Sequence, residues 1–323
     1  MTVTYRGHRP GDLPALAALT AEAMPRDVVD EEWLAENVLL DVNFDPAGLV
    51  VAEDAAGRPV GFVYAVVAER GIPADPATGF LTIGCVHPAH RRRGIGTALL
   101  RRAMDHLASR GATTVTYAGY PQAYFVPGLD VATYPEAESL LAAHGFAIRY
   151  TAAAMSLDLD SYAMPGSVRE LLRARAEEGY ALGPATYDDL PEAISFATRR
   201  LAPDWGHALR ESVLRHGRGP RRVLLARDPD GTVVGVSTYG AYRGLRERFG
   251  PIGVDEERRG TGLGRALLHL TLTQMRAEGA HGAWFLWTGE DSPAGHLYRS
   301  TGFEVVRRFA VLQAPLDDCP RTP

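Results

Sequence analysis

The stretch VDEERRGTGLGRALLHLTL at residues 254–272 decides the fold, because VHPAHRRRGIGTALLRRAM at residues 86–104 repeats its pattern without a gap. Both stretches begin with valine and share Arg-x-x-Gly-x-Gly, followed one residue later by Ala-Leu-Leu. Their spacing is 168 residues, since 254 − 86 = 168. Self-similarity at a fixed spacing is the signature of repeated structural units, so the sequence predicts two copies of one domain.

A second pair of similar stretches lies downstream in each half. SLLAAHGF at residues 139–146 corresponds to HLYRSTGF at 296–303, with a spacing of 302 − 145 = 157 residues. The first copy therefore holds 168 − 157 = 11 additional residues, within GYPQAYFVPGLDVAT at 119–133. Their proline and aromatic content predicts a long loop. We expect its aromatic residues to pack between the two domains and to border the acceptor cleft of the second copy.

Hydrophobic periodicity predicts the same order of elements in both halves: a helix, a hairpin, a strand, a glycine turn leading into an amphipathic helix, a strand, a helix and a final strand. This order predicts an α/β fold. The predicted domains are residues 1–159 and 180–323. Residues 160–179 are predicted to be a linker that contains a surface helix at 168–177.

Composition excludes several classes of protein. Apolar residues make up 46% of the 323 residues, and the net charge of −5 is opposite to that of a typical nucleic-acid binder, despite the short run Arg91-Arg92-Arg93. No stretch approaches the roughly 18 apolar residues of a membrane span, and the first residues lack a signal-peptide pattern. We therefore expect a cytoplasmic protein. Cys85 and Cys319 form no CxxC pair, and the ten histidines show no ligand spacing, so no metal is expected.

The repeated glycine turn predicts an anion site in each copy. Each turn follows an apolar strand and opens a helix, whose free amide groups and positive dipole end attract a phosphate. Glycine permits positive φ and close approach of a ligand. Neither copy has the lysine of a P-loop, and Leu99 and Leu267 replace the third glycine of a dinucleotide fingerprint. The alternative is an ordinary helix start with packing glycines, which two copies in the same context disfavour.

The strand-Val-x-Pro-x-x-Arg-x-x-Gly-x-Gly pattern resembles the acetyl-CoA-binding motif of the GNAT superfamily of N-acyltransferases. DSPAGHLYRSTGF at 291–303 is similar to that family's second motif. The resemblance covers both halves and implies two tandem GNAT domains, each a mixed, mostly antiparallel sheet flanked by helices. It also implies acetyl-CoA as the co-substrate. Glu256 departs from the motif, since proline stands there in the first copy as Pro88.

The resemblance implies a set of coenzyme-binding residues. The turn amides at residues 259–264 would hold the CoA pyrophosphate, and Val254 would contact pantetheine. The full set is Val254, Arg259, Gly260, Thr261, Gly262, Leu263, Gly264 and Arg265 in the second copy, with Val86, Arg91, Gly94 and Gly96 in the first.

Tyr298 stands where the family keeps the acid that protonates the leaving thiolate. A tyrosine pKa near 10 makes the neutral side chain a competent proton source. The corresponding residue of the first copy is Leu141, which cannot donate a proton. The sequence therefore predicts a catalytic second domain and a non-catalytic first one. The alternative for Tyr298 is packing on an amphipathic helix.

The general base is left open among several acidic residues. Glu290 and Asp291 follow a strand and precede the Tyr298 helix, so Glu290 is the first candidate for base or amine binder. Asp291 has an alternative role as the cap of that helix. Glu247 and a chain of bound water molecules are the other candidates.

The predicted reaction is acetyl transfer from acetyl-CoA to a primary amine of a small molecule. The segment from 282 onwards is most similar to tandem-GNAT proteins related to glucosamine/glucosaminide N-acetyltransferases, which implies an amino-sugar acceptor. Mycothiol synthase, whose acceptor is a cysteinyl pseudodisaccharide, is a second possibility. Protein acetylation is a third, and a non-catalytic CoA-binding sensor is an alternative of a different class. No nucleic-acid or membrane partner is expected.

Overall fold

The computed structural model describes residues 2–122, 125–215 and 219–316. The chain divides into two compact units. The first comprises Met1–Ala152 together with Arg308–Pro323, and the second comprises Ala153–Arg307. These bounds differ from the predicted domains at 1–159 and 180–323, because Leu312–Pro315 pair with a strand of the first unit.

The first unit is a mixed sheet covered by helices. Its elements are β1 (Thr4–Arg6), α1 (Leu13–Ala23), α2 (Glu31–Leu34) with a π-helical turn (Ala35–Leu39), β2 (Leu49–Glu53), β3 (Pro59–Val67), β4 (Thr78–Val86), α3 (Ile95–Ser109), β5 (Thr114–Tyr117), α4 (Pro135–Ala142) and the start of β6 (Ala147–Asp158). Strands β1 to β4 pair antiparallel in chain order. β4 and β5 pair in parallel, from Thr78 opposite Thr114 to Leu81 opposite Tyr117.

The second unit repeats this plan. Its elements are α5 (Gly166–Glu177), β7 (Ala181–Pro184), α6 (Leu190–Phe196) with a π-helical turn (Ala197–Leu201), α7 (Pro203–Leu214), β8 (Val223–Arg227), β9 (Val233–Tyr239), β10 (Phe249–Val254), α8 (Leu263–Ala277), β11 (Gly282–Thr288), α9 (Pro293–Thr301) and the start of β12 (Glu304–Pro315). Strands β7 to β10 pair antiparallel. The mixed, mostly antiparallel α/β fold predicted for each copy is confirmed, and β7 is a strand that the sequence did not predict.

The last strand of each copy serves the sheet of the other unit. Residues 153–158 of β6 pair antiparallel with β11, where Ala283 lies opposite Leu157. Residues 312–315 of β12 pair antiparallel with β5, where Leu312 lies opposite Tyr117. Strand pairing depends on hydrophobic pattern and register, not on proximity along the chain. This exchange explains why a cut at 159/160 does not separate the two units.

The segment predicted as a linker is an integral part of the second unit. Leu159 and Val168 are fully buried, and the Tyr162 hydroxyl lies 2.8 Å from Nδ1 of His269 on α8. Burial lowers the pKa of His269 to about 4, which keeps its imidazole neutral beside this hydroxyl. Arg276 of α8 donates a hydrogen bond to the Asp160 carbonyl at 3.1 Å. The segment at 160–179 is therefore held against α8 by these hydrogen bonds.

The amphipathic helix after each glycine turn packs its apolar stripe into the core of its own unit, as the periodicity predicts. The buried residues of α3 are Ile95, Leu99, Leu100, Ala103, Met104 and Leu107. Those of α8 include Leu263, Leu267, Leu268, Leu272 and Met275. This packing fixes the start of each helix, and with it the turn.

The aromatic loop at 119–133 packs within the first unit. Tyr120 is fully buried, accepts a hydrogen bond from Asn43 at 2.8 Å and donates one to Asp41 at 3.0 Å. The Phe125 ring lies 4.8 Å from that of Trp33 in an edge-to-face contact. Our expectation of interdomain packing is wrong for these two residues, because the first unit's own core accommodates them. Tyr124 lies outside the described residues.

Candidate active site

The glycine turn of the second unit presents free amide groups at the start of α8. Gly260 and Gly262 have φ values of 79° and 84°, in the left-handed region that favours glycine. Gly262 is the N-cap, and no side chain caps the helix. The first amides of an α-helix have no intrahelical acceptor. The turn therefore offers Leu263, Gly264 and Arg265 amides, together with the positive end of the helix dipole, to an anion.

The first unit reproduces this turn. Arg92 and Gly94 have φ values of 61° and 79°, at the positions that correspond to Gly260 and Gly262. A short 3-10 turn precedes each loop, at Pro88–His90 and at Glu256–Arg258. Glu256 stands where the first copy has proline, and the 3-10 turn forms there as well. The turn therefore does not depend on the proline.

The strand before the turn has one open edge. The Asp255 amide donates to the Val234 carbonyl of β9 at 2.8 Å. Because amide groups alternate between the two edges of a strand, those of Val254 and Ile252 point away from β9. On that side, among the described residues, β11 meets β10 by a single bridge between Arg248 and Trp284. The strand therefore offers unpaired backbone groups to an extended ligand that reaches the turn.

Tyr298 lies beside the point where β10 leaves β11. Its side chain is 8% exposed and packs against Phe285 of β11 at 4.5 Å, Phe303 at 5.6 Å and Phe249 of β10 at 6.1 Å between ring centroids. Burial raises the pKa of Tyr298 above its usual value. In the part of the chain that the structure describes, its hydroxyl has no hydrogen-bond partner, and it is not sealed from solvent. The group is therefore a protonated donor with no internal acceptor.

The first unit lacks a hydroxyl at this helix position. Leu141 of α4 is buried in the core with Leu81 and Phe146. A phenol is found instead on β5, where Tyr117 corresponds to Phe285, since 285 − 168 = 117. Burial, with Asp27 and Cys85 nearby, raises the pKa of Tyr117 to about 12. The two units therefore differ in the element that carries a phenol.

The acidic residues named from the sequence are placed as follows. Glu290 lies in the turn before α9, 3.8 Å from Arg299, and Glu247 lies 3.8 Å from Arg246. Asp291 does not cap α9, because the Gly295 amide donates to Ser292 Oγ at 3.1 Å. The alternative of Asp291 as the cap is therefore wrong: the residue after it fills that position.

The structure adds Asp204, which the sequence analysis did not name. It precedes Trp205 on α7, and a Cβ on Gly253 of β10 would lie 2.6 Å from the Trp205 ring. Asp204 is half-buried, and burial raises the pKa of its carboxyl. Its own backbone amide and the nearby His207 oppose this shift in part. A desolvated carboxylate whose pKa stays raised is a functional-site candidate. Its sequence signal, an acid at a helix start, is too common to identify it.

The arginines of the two turns have different partners. Arg259 pairs with Glu256 at 2.8 Å, and Arg91 donates to the Ala23 carbonyl at 3.0 Å. Arg265 donates to Ser167 Oγ at 3.0 Å. In each unit, the predicted coenzyme-binding residues lie on one strand, the turn after it and the start of the next helix.

The described residues contain neither a candidate metal centre nor a membrane-spanning helix. No group of three or more His, Cys, Asp and Glu side chains there is arranged to hold a metal ion. No helix in the described ranges is long and apolar enough to cross a membrane.

Comparisons with known proteins agree with these features. Residues 14–123 match the acetyltransferase (GNAT) family, and residues 219–305 match an acetyltransferase (GNAT) domain. A mycothiol acetyltransferase of Clavibacter michiganensis subsp. michiganensis is 30% identical over 82% of this chain and 79% of its own length.

Two solved structures share the fold. One contains the GCN5-related glucosamine N-acetyltransferase region of a fungal multi-domain GH3 β-N-acetylglucosaminidase, at a TM-score of 0.79 and 20% identity. The match covers 97% of this chain and 38% of the fungal protein. The other is a tandem GNAT protein from the clavulanic acid biosynthesis pathway, at a TM-score of 0.63 and 20% identity, covering 98% of this chain and 99% of that one.

Proposed function

The chain belongs to the GNAT family of acetyltransferases, and we propose that its second unit transfers an acetyl group from acetyl-CoA to the primary amine of a small molecule. The observation that carries this proposal is the difference between the two units. Both keep the glycine turn, but the second unit alone has a tyrosine, Tyr298, where the first has Leu141.

The residues of the second unit fit acetyl-CoA. The uncapped start of α8 suits its pyrophosphate, and the open edge of β10 suits its extended pantetheine arm. A Cβ on Gly264 would lie 3.7 Å from Val254, so a larger side chain there would lie next to the residue proposed to contact pantetheine. When bound, acetyl-CoA supplies the activated thioester. The chain supplies the anion site, backbone donors and the Tyr298 hydroxyl.

The proposed chemistry divides between named groups. A strand amide of β10 donates to the oxygen on which negative charge develops. The Tyr298 hydroxyl donates to the departing sulfur, and its raised pKa keeps it protonated at neutral pH. A carboxylate accepts the proton of the attacking amine. Glu290 remains the prediction from the sequence, and desolvation of the Asp204 carboxyl supports Asp204 as a second candidate.

For the acceptor, we favour a cysteinyl pseudodisaccharide of the mycothiol type over a free amino sugar. The relative that is 30% identical carries the name mycothiol acetyltransferase and matches most of this chain. The similarity to the glucosamine N-acetyltransferase region, at 20% identity, supports the fold alone.

Thiol release from acetyl-CoA, measured with a panel of amines, tests the acceptor. The panel contains the cysteinyl pseudodisaccharide, glucosamine, and peptides with a free N-terminus or lysine. We expect the highest kcat/KM with the cysteinyl compound. A preference for glucosamine or for a peptide would contradict our choice of acceptor while leaving the reaction class intact.

A matched pair of variants tests which unit works. Gly264→Val places bulk beside the ligand path at a position without positive φ. Gly96→Val makes the corresponding change in the first unit, where the added Cβ would lie 3.2 Å from Leu140. We expect Gly264→Val to raise the KM for acetyl-CoA about tenfold or more, a loss of roughly 1.4 kcal/mol of binding. Gly96→Val should leave turnover nearly unchanged. Equal losses from the two changes would mean that both units catalyse the reaction.

A further inference from the structure

The start of α8 carries a cation that its helix disfavours. Arg265 lies in the first turn, immediately after Gly264, where the positive end of the helix dipole repels a positive charge. The first unit has Thr97 at this position, since 265 − 168 = 97. Over the described ranges, no carboxylate lies within ion-pairing distance of Arg265, and its guanidinium donates to the neutral Ser167 hydroxyl at 3.0 Å. An anion is the partner that would offset this placement.

Helix α5 holds this cation beside the turn. Ser167 and Leu171 are four residues apart and therefore share one face of α5. Ser167 contacts Arg265, and the Leu171 methyl groups lie 3.0 Å from where a Cβ on Gly262 would be. Val168, which follows Ser167, is fully buried. The α5 face is thus fixed against the start of α8 in the second unit.

Among the described residues of the first unit, nothing corresponds to this face of α5. A Cβ on Gly94 would meet nothing within 4 Å. The α5 face and Arg265 are therefore additions to a turn that is otherwise the same in both units, so they cannot be required to form it. What they add to the turn is the guanidinium of Arg265, hydrogen-bonded to the Ser167 hydroxyl, next to the predicted phosphate site.

We propose that Arg265, oriented by Ser167 of α5, binds the ribose 3′-phosphate of coenzyme A and makes the second unit selective for CoA over its 3′-dephospho form. The proposal rests on the acetyl-CoA site proposed above. The turn amides serve the pyrophosphate, which leaves the 3′-phosphate as the second anionic group of the ligand. A guanidinium suits it, because its planar donors can bind two phosphate oxygens at once.

Calorimetric titration with CoA and with 3′-dephospho-CoA tests the proposal without requiring acetyl transfer. All proteins carry Gly96→Val, so that the second unit dominates the signal. The parent should bind CoA about tenfold tighter than the dephospho form, as expected for one charge-assisted contact. Arg265→Gln should bring this ratio to about one, chiefly by weakening CoA, and Ser167→Ala should reduce it in part. The matched control Arg169→Gln removes a neighbouring exposed arginine and should keep the ratio.

A parent that binds both ligands with equal affinity would overturn the proposal. So would an Arg265→Gln protein that binds both ligands more weakly by the same factor, because Arg265 would then serve the pyrophosphate. Failure of the parent to bind either ligand would overturn the acetyl-CoA site itself.

Discussion

Tyr298→Phe is expected to lower kcat by roughly two to four orders of magnitude, the usual contribution of a positioned acid. The KM for acetyl-CoA should change little, because the aromatic ring and its contacts with Phe285 and Phe303 remain. Steady-state kinetics with acetyl-CoA and a saturating amine would measure the effect. Since the lost group is a single hydroxyl on an otherwise intact cluster, circular dichroism should show the parent fold.

Two control variants separate catalysis from packing. Tyr239→Phe removes another buried hydroxyl of the second unit, one that contacts Gln274 at 3.2 Å, and should leave kcat close to that of the parent. Tyr117→Phe removes the phenol on β5 of the first unit and should do the same. If Tyr298→Phe retained activity within about threefold of the parent, well short of a general acid's contribution, Tyr298 would have no role in proton donation.

Asp204→Asn is expected to lower kcat/KM by about 100-fold, the lower range for loss of a general base. Glu290→Gln should have a small effect, because that carboxylate already lies near Arg299. Asp204→Glu, which keeps the charge, should restore part of the activity. A large loss of activity for Glu290→Gln, with parental activity for Asp204→Asn, would contradict this prediction. Glu290 would then be the base, and Asp204 would have only a structural role at the start of α7.

The pH profile gives a second readout of Asp204. Burial raises the pKa of its carboxyl, and His207 on the next turn of α7 opposes that shift. A base must be ionised to accept a proton, so activity should fall as the pH decreases through this raised pKa. Asp204→Asn should abolish that acidic limb. A variant with low activity but an unchanged limb would assign the titration to another group.

The local features of the site could be predicted from the sequence. Gly262 and Gly264, the valine strand and the stripe of α8 lie within one continuous stretch, and the repeat supplies an independent second copy. Turn geometry depends on residues a few positions apart, so Gly260 and Gly262 have the positive φ that such a turn requires. Comparison of the two copies also showed that Leu141 stands at the position that corresponds to Tyr298.

The missed features depend on contacts between distant residues. The exchange of β6 and β12 follows from pairings such as Leu312 with Tyr117, which no local pattern specifies. The predicted linker is held by a hydrogen bond between Tyr162 and His269, which are 107 residues apart in the sequence. Asp204 differs from other acids at helix starts only through desolvation by the folded chain, which its neighbours in sequence do not reveal.

Acetyl-CoA-dependent thiol release, followed in the parent and in the Gly264→Val and Gly96→Val variants with the same amine, tests most directly whether the second unit is an N-acetyltransferase. We predict amine-dependent release by the parent, a strongly raised KM for acetyl-CoA in Gly264→Val, and nearly parental kinetics in Gly96→Val. Tight CoA binding without release for any amine in the panel would contradict this prediction and favour a CoA-binding sensor.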